Sequence, residues 1–141
     1  MANWRTKLVS KKAQTAALEA LRVGAEAILT EAINEAPVET GTLRRSGTVT
    51  VGYVPDSGAV YAAASSRSMR DAFRNEKGKE QAVYISFNTP YARRQHEEIG
   101  YNHPLGGKAK YLEDPFNRNK SKVLKYVEAH VKRVLAKENG R

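Results

Sequence analysis

The sequence predicts an α+β fold in which a small antiparallel sheet of three to four strands packs against two long helices. Near both ends of the chain apolar residues recur every three or four positions, which is the helical period. In the middle they alternate with polar residues, which is the strand period. Because the chain has 141 residues, we expect a single domain, 1–141, whose core needs no disulfide or metal.

The first helix is predicted over residues 10–36. Its apolar face contains Leu18, Leu21, Ala25, Ile28, Ala32 and Ala36. Gly24 and the many alanines on this helix predict a close crossing with another element. Pro37 ends the helix. At 1.5 Å per residue it would be about 40 Å long, so we expect part of it to project or to pack against a neighbour.

Residues 37–46 are predicted to form a compact turn. Thr40 or Thr42 caps a short helical turn in it, with Leu43 pointing inward and the two arginines that follow pointing outward. A polar segment, 65–80, then interrupts the middle of the chain. It holds five basic and three acidic residues, and a segment of this length is predicted to be a flexible, basic insertion loop.

Three segments have the composition of strands. Val49, Val51 and Tyr53 alternate with polar or small residues in a half-buried strand over 48–53. Residues 59–64, which follow a Pro-Asp-Ser-Gly turn, are predicted as a second strand. The strongest alternation lies over 82–89 and predicts the third strand.

Two helices are predicted in the last third. A short helix covers residues 91–99 and ends at Gly100. Asp114 and Pro115 begin the last helix after a loop, 100–110, that contains glycine, proline and asparagine. Its apolar stripe comprises Phe116, Val123, Leu124, Val127, Val131, Val134 and Leu135. Residues 137–141 are predicted to fray.

The chain is strongly basic. It has 24 basic and 15 acidic residues, a net charge of +9, and residues 91–141 account for +6 of it. Two interpretations remain open: a solvated surface that keeps the protein soluble, or a surface that binds a polyanion by counterion release. Aromatic residues are not interleaved with the basic ones, which disfavours a domain that reads nucleic-acid sequence.

Several classes of protein are excluded by composition. The absence of cysteine excludes a disulfide scaffold, an iron–sulfur cluster, a thiol nucleophile and a cysteine-based zinc site. No apolar stretch reaches the roughly 20 residues of a membrane span. The first residues contain no apolar h-region, so we expect no secretory signal.

Motifs for catalysis are weak. His96, His103 and His130 do not have the spacing of a zinc site, and a small metal-dependent nuclease is therefore only a remote hypothesis. Gly106 and Gly107 precede a lysine, but the serine or threonine of a phosphate-binding loop is missing. The sequence has no G-x-S-x-G nucleophile. We predict neither an enzyme nor a cofactor.

Three segments together resemble a known family. They are Ala36–Ser46 (APVETGTLRRS), Pro90–Gly100 (PYARRQHEEIG) and Lys108–Phe116 (KAKYLEDPF). In this order and spacing, the chain resembles the neck and tail-completion proteins of tailed bacteriophages, also called minor capsid or head–tail connector proteins. The stretch Thr-Gly-x-Leu-Arg-x-Ser within the first segment is the most specific of these features.

The resemblance implies a structural protein of the virion, assembled in the cytoplasm of the bacterial host, without catalytic residues. Such proteins form a ring between the portal end of the capsid and the tail tube, and the viral double-stranded DNA passes through its bore. The implied partners are further copies in a ring of six or twelve and the neighbouring connector or adaptor, tail-tube or terminator proteins. No membrane partner is implied. A sequence-nonspecific DNA-binding protein is the alternative, based on the charge alone.

Candidate contact residues are basic side chains that face either a neighbouring subunit or DNA, because guanidinium groups pair well with carboxylates and phosphates. They are Arg44, Arg45, Arg67, Arg70, Arg74, Arg93, Arg94, Lys108 and Lys110. The alternative is that these residues only solubilise the ends of helices.

Overall fold

Two long helices, three short ones and a two-stranded sheet make up the computed structural model, which describes residues 4–38, 41–65, 77–100, 103 and 106–139. In chain order the elements are α1 (Trp4–Glu35), α2 (Thr42–Arg45), β1 (Thr48–Val51), α3 (Ser57–Ser65), β2 (Val83–Ser86), α4 (Ala92–Glu97) and α5 (Glu113–Asn139). Within the described residues, no helix combines the length and the apolar character needed to cross a membrane. Thr40 and residues 66–76, which include Arg67, Arg70 and Arg74, lie outside the described residues.

The helices α1 and α5 pack along each other. They run antiparallel, because Glu35 of α1 lies beside Arg118 while Glu19 lies beside His130. At the crossing, a Cβ atom added to Gly24 would lie 2.5 Å from Cγ1 of Val123. The predicted close crossing at Gly24 is therefore confirmed, and α5 is the element that requires it.

The sheet has two strands in the described residues, fewer than the three to four predicted. β1 and β2 are antiparallel, and Thr48 pairs with Ser86 while Val51 pairs with Val83. Gly52 follows β1 in the left-handed region at φ 81°, and its α-carbon approaches the backbone of Gly78 closely. The left-handed conformation of Gly52 departs from the extended conformation of a strand, so β1 ends two residues earlier than predicted. Only glycine fits there, because a Cβ would collide with the backbone of Gly78.

The predicted strand over 59–64 is wrong, because these residues belong to the helix α3. Asp56 explains the difference. Its Oδ1 accepts hydrogen bonds from the backbone N–H groups of Gly58 and Ala59, at 2.9 and 3.2 Å, which is how an aspartate caps the start of a helix. The alanine-rich sequence that follows has the highest helix propensity, and burial of Val60 and Ala64 then fixes the helix on the core.

The cap predicted for the short turn is also wrong. Gly41, at φ 80°, occupies the position before α2, and Thr42 is the first residue of the helix itself. Leu43 is buried as predicted. Arg44 and Arg45 do not extend freely outward but fold back onto the chain and are half-buried.

The predicted positions of the remaining elements agree with the structure. α1 begins at Trp4, earlier than predicted, and buries Ala25, Ile28 and Ala32 of the predicted face; Ala36 is buried just after its end at Glu35. α4 is shorter than its prediction, and α5 begins just before Pro115 as predicted. α5 remains helical to Asn139, within the segment predicted to fray. Its valine stripe is half-buried, but Phe116 and Leu124 of that stripe are exposed.

Candidate interaction site at the end of the first helix

The three segments that carry the family resemblance meet at the C-terminal end of α1. Ala36 and Leu43 from the first segment, Ala92 from the second and Tyr111 from the third form one buried cluster. Phe87, just beyond β2, packs against it. These segments are far apart in the sequence, so their convergence shows that the resemblance rests on residues that build a single junction.

Tyr111 lies at the centre of this junction. It is 1% exposed, and its hydroxyl donates a hydrogen bond of 2.8 Å to the carbonyl of Ala92. Its ring makes edge contacts with Phe87 and His96, at centroid distances of 4.9 and 5.0 Å. Burial raises the pKa of Tyr111 well above its ordinary value, so the phenol keeps its proton and remains a donor.

Arg44 closes the C-terminal end of α1. Its Nε donates to the carbonyl of Ala36 at 2.8 Å, and its Nη2 donates to that of Asn34 at 3.0 Å. The last carbonyls of a helix lack hydrogen-bond donors within the helix and carry a partial negative charge. A guanidinium supplies both the donors and a compensating positive charge. Arg45 caps the C-terminal end of α3 in the same way, since its Nε donates to the carbonyl of Ala64 at 2.8 Å.

A network of ion pairs fastens α5 to α1. Nζ of Lys108 lies 2.7 Å from Asp114 and 3.2 Å from Glu35, and Arg118 bonds to Glu31 and Glu35. Hydrogen bonds from Arg118 hold the pKa of Glu31 and Glu35 below its ordinary value, and Lys108 does the same for Asp114. Asp114 in turn raises the pKa of Lys108. The charges of Lys108 and Arg118 are therefore neutralised within the chain.

A second polar cluster joins α4 to the start of α5. Nζ of Lys110 lies 2.6 Å from Glu97, which lowers the pKa of that carboxyl, and Nδ1 of His96 lies 2.8 Å from the other oxygen of Glu97. Nε2 of His96 accepts the backbone N–H of Glu113 at 3.1 Å. His96 is thus part of the cap of α5. Among the described residues no group of three or more histidines, aspartates or glutamates is placed to hold a metal ion.

Sequence reasoning missed a buried polar network between α2 and β2. Asn88 is 4% exposed, and its amide nitrogen donates to the carbonyl of Ser46 at 2.9 Å and to Oγ of Ser86 at 3.0 Å. Oγ of Ser57 lies 3.2 Å from the Asn88 side-chain oxygen. The position of Ser46 at the end of the Thr-Gly-x-Leu-Arg-x-Ser stretch is the one signal of this network in the sequence.

Exposed at this end of the molecule are two arginines and one isoleucine. Arg93 and Arg94 lie on the outer side of α4, and no described residue forms an ion pair with either. Ile99, which follows α4, is 80% exposed. Arginine is enriched at protein–protein interfaces, so this surface is a candidate contact surface. The sequence-predicted basic residues that the structure describes thus fall into two groups. One group bonds within the chain and comprises Arg44, Arg45, Lys108 and Lys110. The other is this exposed pair.

In a comparison with protein families the chain matches HK97-gp10_like, described as "Bacteriophage HK97-gp10, putative tail-component", over residues 5–114. The matched range is more than three quarters of the chain and contains the first two segments of the junction and the third as far as Asp114. It ends at Asp114, so nearly all of α5 lies beyond it. Neither the curated proteins nor the solved structures gave a match. The chain belongs to the HK97-gp10-like family of bacteriophage tail components, a family of structural proteins of the virion.

Proposed function

We propose that the protein is a subunit of a ring in the phage neck, between the portal end of the capsid and the tail tube, and that DNA passes through the bore. The ring has six or twelve copies and contacts the neighbouring connector or adaptor on one side and the tail-tube or terminator protein on the other. Membership of the tail-component family supports a structural role in the virion. The ring itself is supported by the sheet, as follows.

The outer edge of β2 is the observation that favours assembly. In the described residues β2 pairs with β1 alone. The N–H of Gly52 bonds to the carbonyl of Ala82, and because bonded pairs alternate along an antiparallel ladder, Tyr84 and Ser86 also bond toward β1. The backbone groups of Val83 and Ile85 therefore point to the outer edge. Such an edge is a template for a strand of another chain.

Repeated addition of one copy to the next is a heterologous contact, and it closes into a ring when the rotation per copy divides a full turn. The side chains of β1 and β2 suit this contact. Val49, Val51, Val83 and Ile85 share one face of the sheet by register, and all four are half-buried within the single chain. A neighbouring copy at the edge would cover more of this apolar surface. The proposed contacts with a neighbour at this end are Arg93 and Arg94 of α4 and Ile99, which follows α4.

The substitution Ile85→Pro tests the proposal, with Ile85→Ala as the matched control. Proline removes the outward N–H of residue 85 but leaves the inward bonds of Tyr84 and Ser86, as proline is tolerated at a strand edge. Copy number is measured by mass photometry of the purified protein and by electron microscopy of assembled particles. We expect rings from the wild type and Ile85→Ala, and single folded subunits from Ile85→Pro.

Circular dichroism verifies that Ile85→Pro keeps its helices. If it does not, Val83→Pro replaces it, because proline is also accepted at the first residue of a strand. Rings that form with either proline variant would exclude the β2 edge as the contact. A wild-type protein that is present as single copies in assembled particles would exclude the ring.

A further inference from the structure

The positive charge of the chain is concentrated on one half of the α1–α5 pair. Residues 27–119 hold twelve basic and eleven acidic side chains and are almost neutral. Residues 11–26 of α1 and 120–137 of α5 hold nine basic and three acidic ones, a net charge of +6 out of +9 for the whole chain. We call these two stretches together the outer helix pair.

The two stretches form one surface because they pack against each other. Ala16 and Ala20 are buried, Gly24 lies against Val123, and Glu19 lies 3.7 Å from His130. The basic side chains of both stretches are all exposed; they are Lys11, Lys12, Arg22, Lys120, Lys122, Lys125, Lys132, Arg133 and Lys137. The charge is thus on the outside of a rod that spans 18 residues of α5, about 27 Å.

The charge of the α5 stretch is less neutralised than that of Lys108 and Arg118 at the junction. Lys132 pairs with Glu128 at 2.9 Å, but no described residue forms an ion pair with Lys122, Lys125 or Arg133. Lys122, Lys125 and Lys132 recur at helical spacing on α5, so they line one side of the helix. Ala129 lies between Lys125 and Lys132 on this side of the helix. Its small side chain leaves the lysine line accessible to a large, flat partner.

We infer that the outer helix pair is the surface that contacts the phosphate backbone of double-stranded DNA. This inference deepens the proposed function and rests on it for the presence of DNA in the bore. Duplex DNA carries one negative charge per ~1.7 Å of its axis, and a rod of exposed cations releases its counterions without reading bases. Tyr126 stacks on His130, at a centroid distance of 6.1 Å, and is thereby engaged within the chain.

Five of the six basic residues in 120–137 are lysines. Lysine presents a compact, hydrated charge on a flexible stem, whereas arginine forms rigid bidentate pairs with phosphate. A lysine surface therefore attracts DNA without fixing its position, which suits a molecule that must travel through a bore. The exposed Leu124 and Val23 lie on the same pair of helices. Because exposed apolar side chains also suit a protein contact, an acidic surface of another protein is the competing partner. The following experiment distinguishes DNA from such a protein.

The test compares Lys122→Gln/Lys125→Gln with Lys77→Gln/Lys79→Gln. Both variants lose two exposed lysines and reach the same net charge, but only the first changes the outer helix pair. Affinity for a fluorescent 30-base-pair duplex is measured by anisotropy over a series of salt concentrations. We expect the first variant to bind DNA about tenfold more weakly at low salt. We also expect the slope of log affinity against log salt to be less steep by about 1.8, because two phosphate contacts are lost. The second should stay within about twofold of the wild type.

Equal losses in the two variants would mean that binding follows net charge, and would overturn the inference. The inference would also be overturned if the wild type did not bind the duplex. The same holds if the first variant lost its binding to the purified neighbouring phage proteins but kept its affinity for DNA. Ring formation is recorded by electron microscopy on the same samples. If the first variant alone loses DNA affinity but the protein forms no rings, the inference stands and the proposed function is excluded. If rings form but the protein does not bind duplex DNA, the proposed ring stands and the inference is excluded.

Discussion

Asn88 and Ser46 extend the β1–β2 ladder by one bonded pair through their side chains. The backbone N–H of Asn88 donates to Oγ of Ser46 at 3.0 Å instead of to its carbonyl, and that carbonyl accepts the Asn88 amide at 2.9 Å. Oγ of Ser46 donates in turn to the carbonyl of Leu43 at 2.7 Å. Both residues are buried, so this arrangement fixes the turn of α2 at the end of the sheet.

Replacement of Asn88 by alanine should therefore destabilise the fold. It leaves the buried carbonyl of Ser46 without the amide donor, and buried unsatisfied groups cost about 1–3 kcal/mol each. We expect the free energy of unfolding to fall by at least about 2 kcal/mol in urea titrations followed by circular dichroism. Ser57→Ala, which removes only the hydroxyl near Asn88 Oδ1, is the control and should cost under about 1 kcal/mol. Equal losses in the two variants would contradict this role of Asn88.

The long helices are predictable from sequence because their periodicity is local and repeated. Ala25, Ile28, Ala32 and Ala36 return at helical spacing, and all four are buried as that pattern requires. The short apolar run at 59–64 has no such repetition and is compatible with a strand or a helix. The cap by Asp56 favours the helix, because its side chain accepts two hydrogen bonds from the first turn. These bonds cannot be predicted from the composition of the apolar run.

The polar partners of the junction depend on contacts between distant residues, and a single sequence does not show them. Arg44 reaches ten residues back to Asn34, and the amide of Asn88 reaches 42 residues back to Ser46. A basic residue at a turn is equally compatible with solvent, a neighbour or a helix end. The family resemblance located the right segments, and the structure shows which side chains in them bond within the chain.

Arg44→Gln distinguishes a helix cap from a contact with another molecule. Loss of the bonds to Ala36 and Asn34 should lower the free energy of unfolding by about 1.5–3 kcal/mol, because hydrogen bonds from charged groups are worth that much. Arg93→Gln, at an exposed position of α4, should change it by less than about 0.5 kcal/mol. Urea titration provides both values. Unchanged stability of Arg44→Gln together with lost assembly would assign Arg44 to an interface instead.

Gly24→Ala should destabilise the helix pair although alanine has the higher helix propensity by about 1 kcal/mol. The added Cβ would lie 2.5 Å from Cγ1 and 3.2 Å from Cβ of Val123, a stiff β-branched side chain. Overpacking of this kind costs about 1–3 kcal/mol. In a double-mutant cycle, Val123→Ala should relieve the clash, with a coupling energy of about 1 kcal/mol or more. Strictly additive effects would show that the two helices separate at this point.

Acidification should weaken the fastening of α5 to α1. Hydrogen bonds from Arg118 lower the pKa of Glu31 and Glu35 from their ordinary value of 4.5 in the folded protein. A carboxyl with a depressed folded pKa contributes stability that is present above its unfolded pKa and is lost as the pH falls through the folded one. We therefore expect the free energy of unfolding to be steady above about pH 5.5 and to decline progressively below about pH 4.5.

The variant Arg118→Gln isolates this contribution. Without the guanidinium, the pKa values of the two carboxyls should move back toward their unfolded values, with Asn119 and Lys108 as their remaining partners. The variant should therefore be less stable than the wild type at pH 7, and the difference should shrink toward pH 3. Melting temperatures from pH 3 to pH 7 give both curves, and Lys79→Gln controls for the loss of one exposed charge. Curves for Arg118→Gln and wild type that run parallel over this range would show that the ion pairs do not contribute to the acid dependence.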